Sequence, residues 1–359
     1  MRRALVVGFA LLAGCPKLGG RVGPRARADA TADATVADTG APPPILDAAP
    51  EDSGPPPIDA SDDPKDLHKT TTEDLLQILP YGGETKYMAF SVGPVVGKMS
   101  QGNPAIARHA ISKKRCLEGL RGVTLQTEEQ RRVCGADNMV PIYKGGDPSK
   151  AKTCIDIFEF PNQACELPFV WVPPSMAKHV CEMGGKRLCA QEEWNLACRG
   201  DPEGGADSIY AYGAKLDLTI CNTNTPHQMG PDGRNWVCWV KDAPTAWQTC
   251  ITDTEPSGSF PMCRSRFGVY DQHGNVAEIM TRKAGDVVYT QLKGSAFFYV
   301  DVAREYNKPH PATALHDTYP DHCNYDPRWH VEVLDEALHT NYHLGFRCCK
   351  SITDERRDR

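Results

Sequence analysis

The chain has 359 residues, enough for one large domain or two modest ones, and a formal net charge of −6. With 46 acidic against 40 basic residues it lacks the dense basic face that nucleic acid requires, so no nucleic-acid partner is expected. Fifteen cysteines without the paired spacings of zinc ribbons argue against a reducing compartment and for disulfides.

The N-terminus reads Met1-Arg2-Arg3, then an apolar run from Ala4 to Ala13, then Gly14-Cys15. Two positive charges before a short apolar run read as a signal peptide over residues 1–14, too short to span a bilayer as a mature helix. Leu12-Ala13-Gly14-Cys15 resembles the bacterial lipobox, which implies cleavage before Cys15 and acylation of that residue. Each buried CH₂ contributes about 0.8 kcal/mol, so several acyl chains hold a protein firmly on a membrane. Pro16 stands where an Asp would resemble the inner-membrane retention signal, which favours the outer membrane. The expected location is therefore the bacterial cell envelope, lipid-anchored, either periplasmic or surface-exposed. No later stretch is long and apolar enough to span.

Residues 16–65 are rich in Ala, Asp, Pro and Gly and poor in aromatic and β-branched residues. Such a segment cannot bury enough surface to offset its chain entropy, and it reads as a disordered stalk. Fourteen cysteines remain beyond Cys15, all between Cys116 and Cys349, an even number that suits a disulfide framework.

Residues 66–137 read as a small, mostly helical region. Thr72 precedes a short helix, and Thr127 with Gln130 forms a capping-box pattern closed by Gly135. Cys116 and Cys134 are the cysteines of this region, so they are paired here, with pairing of each to the main domain as the alternative. From Met139 the character changes. Residues 154–160 and 169–172 read as strands, and 175–183 and 190–198 as helices whose buried faces carry Ala177, Val180, Cys181 and Trp194, Ala197, Cys198. Beyond Gly200 the chain is loop-rich. The fold class is α+β, irregular and stapled by disulfides. The domain ends near residue 350, with a charged tail over 351–359.

Several fragments then align in one order. Val172 to Cys181, Gly185-Lys186-Arg187-Leu188, Glu193-Trp194 and Arg199-Gly200 come first, followed by Tyr210-Ala211-Tyr212-Gly213. Gly258-Ser259-Phe260-Pro261 and the block from Phe267 to Glu278 follow, then Lys293-Gly294-Ser295 and Gly345-Phe346-Arg347-Cys348. Together they resemble the formylglycine-generating enzyme family, the sulfatase-modifying factor domain, over roughly residues 138–350. The resemblance implies a loop-rich fold similar to C-type lectins. It also implies a disulfide from Cys181 to Cys348 and one from Cys198 to Cys323, with Cys189 and Cys349 placed to form a third.

Enzymes of the family oxidise a substrate cysteine with oxygen at a copper ion held by two cysteines shortly after the Gly294-Ser295 turn. Thiolates are soft ligands that select Cu(I). In this chain the two positions fall on Phe298 and Ala303, and Ala277 and His343 replace the usual groove residues. Copper is therefore not expected, and neither are catalytic residues for formylglycine generation.

Six of the eleven histidines lie between Gly294 and Gly345. Of these, His316, His322, His339 and His343 form an alternative set for zinc or iron, since imidazoles among carboxylates bind either ion. The resemblance also implies a calcium site built from Asp271, Gly274, Val276 and Glu278, with Asn222 and Thr223 corresponding to a second site. Calcium prefers such oxygen ligands. The expected function is an envelope lipoprotein whose domain is non-catalytic and binds an unknown protein or glycan ligand, or serves a structural role. The alternative is an oxidoreductase that uses the histidine-rich segment.

Overall fold

The computed structural model describes residues 57–67, 101–225, 251–299, 322–325, 333 and 342–353. Cys15, the helix expected after Thr72, Ala303, His316 and His339 lie outside the described residues. Among those described, no helix is long and apolar enough to cross a membrane.

Helix α1 (Lys113–Gly119) opens where the Ser112 hydroxyl accepts from Arg115 N–H at 3.1 Å. Helix α2 (Glu128–Cys134) carries the expected capping box. Thr127 Oγ1 accepts from Gln130 N–H at 3.1 Å, and Gln130 Oε1 accepts from Thr127 N–H at 2.8 Å. Gly135 ends it in the left-handed region at φ 58°. Residues 57–65, which composition assigns to the stalk, reach α1: Ser112 Oγ donates to Asp62 at 3.0 Å, and Lys114 N–H to Ser61 O at 3.1 Å.

Strand β1 (Met139–Ile142) pairs antiparallel with β2 (Thr153–Asp156). The expected strand over 154–160 stops at Asp156. Asn162 adopts φ 62°, its side chain accepts from Phe158 N–H at 3.1 Å, and the chain bends to carry Glu159 into the core. The expected strand over 169–172 is reduced to a single bridge at Val170, because Trp171 at φ 63° breaks the extended backbone.

Helix α3 (Pro174–Met183) buries Ala177, Val180 and Cys181, and α4 (Gln191–Arg199) buries Trp194, Ala197 and Cys198, the faces that the periodicity marked. Between them, β3 (Arg187–Leu188) is a two-residue strand. The basic residues at its start are both paired. Lys186 Nζ meets Asp156 at 2.6 Å, and Arg187 bonds both oxygens of Glu193 at 2.7 and 2.5 Å.

The last strands are β4 (Ala277–Ala284), β5 (Val287–Lys293), β6 (Leu344–Phe346) and β7 (Cys348–Ser351). They complete two sheets, ordered β1-β2-β7-β3 and β5-β4-β6. β7 lies antiparallel to both β2 and β3, while β6 lies parallel to β4. The segment 344–351 therefore belongs to both sheets, with Arg347 at the joint between them. A core of Phe160, Phe169, Val180, Ile279, Leu292 and Phe346 fills the space beside α3. Burial of such side chains contributes about 1.5–3 kcal/mol each.

Six disulfides staple the described residues. Cys181 joins Cys348, Cys198 joins Cys323, and Cys189 joins Cys349, the pairs implied by the resemblance. The pairing of Cys116 with Cys134 is corrected: Cys116 joins Cys165 and Cys134 joins Cys154. The two cysteines are carried on different helices, and each faces the main domain, at Cα–Cα 5.7 Å from its partner there. Cys221–Cys263 completes the set. The fold is thus an α+β arrangement in which long loops are held by covalent clips, each worth about 2–4 kcal/mol.

Candidate functional site

The loop from Asp271 to Glu278 runs through the core rather than over it. Asp271, Gly274 and Asn275 adopt φ values of 56°, 72° and 56°, a run of left-handed residues that folds the loop back on itself. At Gly274 the approach is so close that a Cβ would lie 2.1 Å from Asn222 O. Asn275 then ties the loop down. Its Oδ1 accepts from Glu255 N–H at 2.8 Å and from Asn222 Nδ2 at 3.0 Å, and its Nδ2 donates to Glu159 at 2.7 Å.

Three carboxylates converge behind this loop, all fully buried: Glu159, Asp271 and Glu278. Arg347 answers them. Its Nε and Nη2 bond the two oxygens of Glu278 at 2.6 Å each, and its remaining donors reach Tyr270 O at 2.8 Å and the carbonyls of Asp156 and Ile157 at 3.2 Å. Burial favours the neutral form of that guanidinium, but the Glu278 carboxylate outweighs it and raises the Arg347 pKa. Asp271 accepts from Gly258 N–H at 2.6 Å, and burial pushes its carboxyl up to about 7. Burial raises Glu159 well above the usual carboxylate range, with the charges of Asp271 and Glu278 adding to it. Arg347 thus faces three acids, and burial favours the protonated form of two of them, Glu159 and Asp271.

Several side chains of the calcium set make hydrogen bonds within the protein. Glu278 directs both oxygens at Arg347, and its Oε2 also accepts from Trp194 Nε1 at 2.9 Å. Asn222 Oδ1 accepts from Thr225 Oγ1 at 2.7 Å, and Asn222 Nδ2 donates to Asn275. Calcium needs six to eight oxygens turned toward one point. The side-chain oxygens of Glu278 and Asn222 and one oxygen of Asp271 accept from protein donors, which ties the loop into a hydrogen-bonded frame. The ion-pair partner of Glu278 is Arg347.

The described departures from the family's active site, Ala277, Phe298 and His343, meet in one place. Ala277 N–H donates to His343 O at 2.9 Å, and the Phe298 ring stands edge-on to the His343 ring at 4.9 Å. Tyr342 joins them, 5.7 Å from Phe298 and 5.0 Å from His343, with Trp171 at 6.0 Å and Phe297 at 6.1 Å behind it. Trp171 and Phe297 are fully buried, whereas Phe298, Tyr342 and His343 are half-buried, so the cluster has an outer face of three rings. Burial, then the charge of Asp253, pushes the Tyr342 hydroxyl above its ordinary value of 10.0 and keeps it protonated. Phe298 offers carbon where a copper site requires a thiolate. Every described cysteine is also engaged in a disulfide. The residues present do not fit the family's copper ion.

The sulfatase-modifying factor enzyme 1-like domain model matches residues 127–352, opening at the N-cap of α2 and closing one residue after β7. The chain belongs to this family. No curated protein matches it. Family membership explains the two-sheet joint at Arg347 and the loop frame at Gly274-Asn275, which concern folding. A shared fold does not by itself carry the family's chemistry across.

Of the histidine set, His322 and His343 are described. His322 contacts the Tyr325 ring and His343 the aromatic cluster, and the two make no group with acidic or thiol ligands among the described residues. Trp171, Phe297, Tyr342, Glu159 and His109 were not singled out from sequence. The adjacency of Tyr342 to His343 was the one legible hint of the aromatic face. Nothing local marks a glutamate such as Glu159 that the fold will bury.

Proposed function

We propose that this chain is a lipid-anchored protein of the bacterial cell envelope whose sulfatase-modifying factor domain binds a ligand and does not oxidise cysteine. The observation that carries the reading is Phe298, whose ring packs on His343 and Tyr342 where the family needs a copper-binding thiolate. A soft cation gains nothing from a phenyl edge, while a half-buried aromatic face gains by covering its rings with a partner. The lipobox supports attachment through Cys15, and the outer membrane is the favoured site. The ligand class that matches a face of three rings is a protein side-chain cluster or a sugar ring.

The activity half is tested by incubating the full chain in detergent with copper, a thiol reductant, oxygen and a peptide bearing the sulfatase cysteine motif. No conversion to the aldehyde mass is expected, and conversion at enzymatic rates sinks the reading. The anchoring half is tested by fractionating cells that express Cys15→Ser, which is expected to leave the membrane fraction. A variant that stays membrane-bound refutes the anchor.

A further inference from the structure

His273 stands against the Cys198–Cys323 disulfide. Its Nε2 lies 3.5 Å from Cys198 Sγ and 3.9 Å from Cys323 Sγ. All three side chains are buried, and their ligand atoms fall within 4.8 Å of one another. Ala211 N–H donates to His273 Nε2 at 2.9 Å, which puts the ring proton on Nδ1 and leaves Nε2 as the acceptor. A neutral imidazole with such a lone pair is the metal-binding form. Tyr210 and Tyr212 stack on each other at 5.6 Å, with centroids 5.8 and 5.4 Å from the His273 ring, and both are half-buried.

While the sulfurs are bonded to each other they carry no charge and hold no ion. We propose that Cys198, His273 and Cys323 form a reduction-gated site for a thiophilic d¹⁰ cation, zinc or cuprous copper. An external dithiol opens it. The Cys198–Cys323 bond takes two electrons and breaks, each sulfur gains a proton from the dithiol, and the dithiol leaves as its own disulfide. The entering cation then displaces the two thiol protons to solvent and is held by two thiolates and Nε2, at the expense of the Ala211 hydrogen bond. Two thiolates and one imidazole are soft to borderline donors, the set that suits zinc and Cu(I) and disfavours calcium or magnesium.

The site stays assembled after the bond opens, because Cys323 is held independently. Its N–H donates to Ile209 O at 3.0 Å, and two residues on Lys293 Nζ donates to Tyr325 O at 2.5 Å. Cys198 sits on α4, fixed by Trp194 and Ala197 in the core. The thiols therefore remain near His273 and do not drift apart. This site lies outside the aromatic face and does not depend on the ligand proposed for it.

The test uses the full chain in detergent, reduced with dithiothreitol under native conditions, desalted, and treated with zinc alone. Iodoacetamide labelling with peptide mass mapping then reports each cysteine. One equivalent of zinc is expected to slow alkylation of Cys198 and Cys323 at least about tenfold, and His273→Gln is expected to lose most of that protection. Cobalt in place of zinc reads the unmutated chain directly, with thiolate charge-transfer bands expected for two sulfurs. Three outcomes overturn the proposal: alkylation unchanged by zinc with no thiolate–cobalt bands, equal protection in a folded His273→Gln variant, or a Cys198–Cys323 bond that opens only when near-ultraviolet dichroism is lost.

Discussion

Arg347 and Glu278 stand 69 residues apart in sequence and meet as a two-point ion pair, both bonds 2.6 Å and each side chain 1% exposed. Glu278 is the second residue of β4 and Arg347 sits between β6 and β7, so the pair fastens one sheet to the other. Arg347→Met is expected to destabilise the fold by about 3–5 kcal/mol, because it leaves Glu278 buried without a counter-charge beside Glu159 and Asp271. Pairing it with Glu278→Gln should recover part of the loss. Urea denaturation measures both, and a single variant within 1 kcal/mol of the parent, a bound set by the about 3–5 kcal/mol expected, contradicts the assignment.

Stability should carry an unusual pH signature. Burial pushes Glu255 up to about 7 from 4.5 and Asp271 up to about 7 from 3.8. The folded state keeps protons that the unfolded chain releases, so the stability from these groups is full below about pH 4 and is lost as pH rises toward 7. His109 acts oppositely. Burial lowers it to about 4 from 6.5, so its contribution is full above 6.5 and is lost as pH falls toward 4. Glu255→Gln should remove about one proton from the slope between pH 4.5 and 7. Urea midpoints across that range decide it, and parallel curves for parent and variant would refute the burial argument.

Non-reducing digestion should release Cys116 linked to Cys165 and Cys134 linked to Cys154. Removing the second pair as Cys134→Ala with Cys154→Ala should cost about 3 kcal/mol, since its sequence separation of 20 closes a loop of middling length. A Cys116–Cys134 peptide would overturn the observed packing of both helices on the main domain.

Gly274→Ala should be among the most damaging single changes. The added methyl would meet Asn222 O at 2.1 Å at a φ of 72°, so both sterics and backbone conformation oppose it. A loss of about 3 kcal/mol is expected. Gly285 also has a positive φ but open space around it, and Gly285→Ala provides the control, with a smaller loss from conformation alone. Equal thermal shifts for the two variants would show that the contact with Asn222 is not limiting.

What the sequence determined by itself was local or strongly patterned. The capping box at Thr127 and Gln130, the helical faces of α3 and α4, and the order of the family fragments were legible because each depends on neighbours in the chain. The Cys181–Cys348 and Cys198–Cys323 clips followed from resemblance, not from spacing. Tertiary structure decided the rest. Whether Glu278 meets a cation or holds one depended on where Arg347 arrived, 69 residues later. Whether Cys116 found Cys134 depended on which way two helices faced. The aromatic face at Phe298 and the trio at His273 assemble residues from separate loops, and no periodicity records such meetings. Charge pairing, disulfide choice and site formation are contacts at a few ångströms between distant segments, and only the folded chain sets those distances.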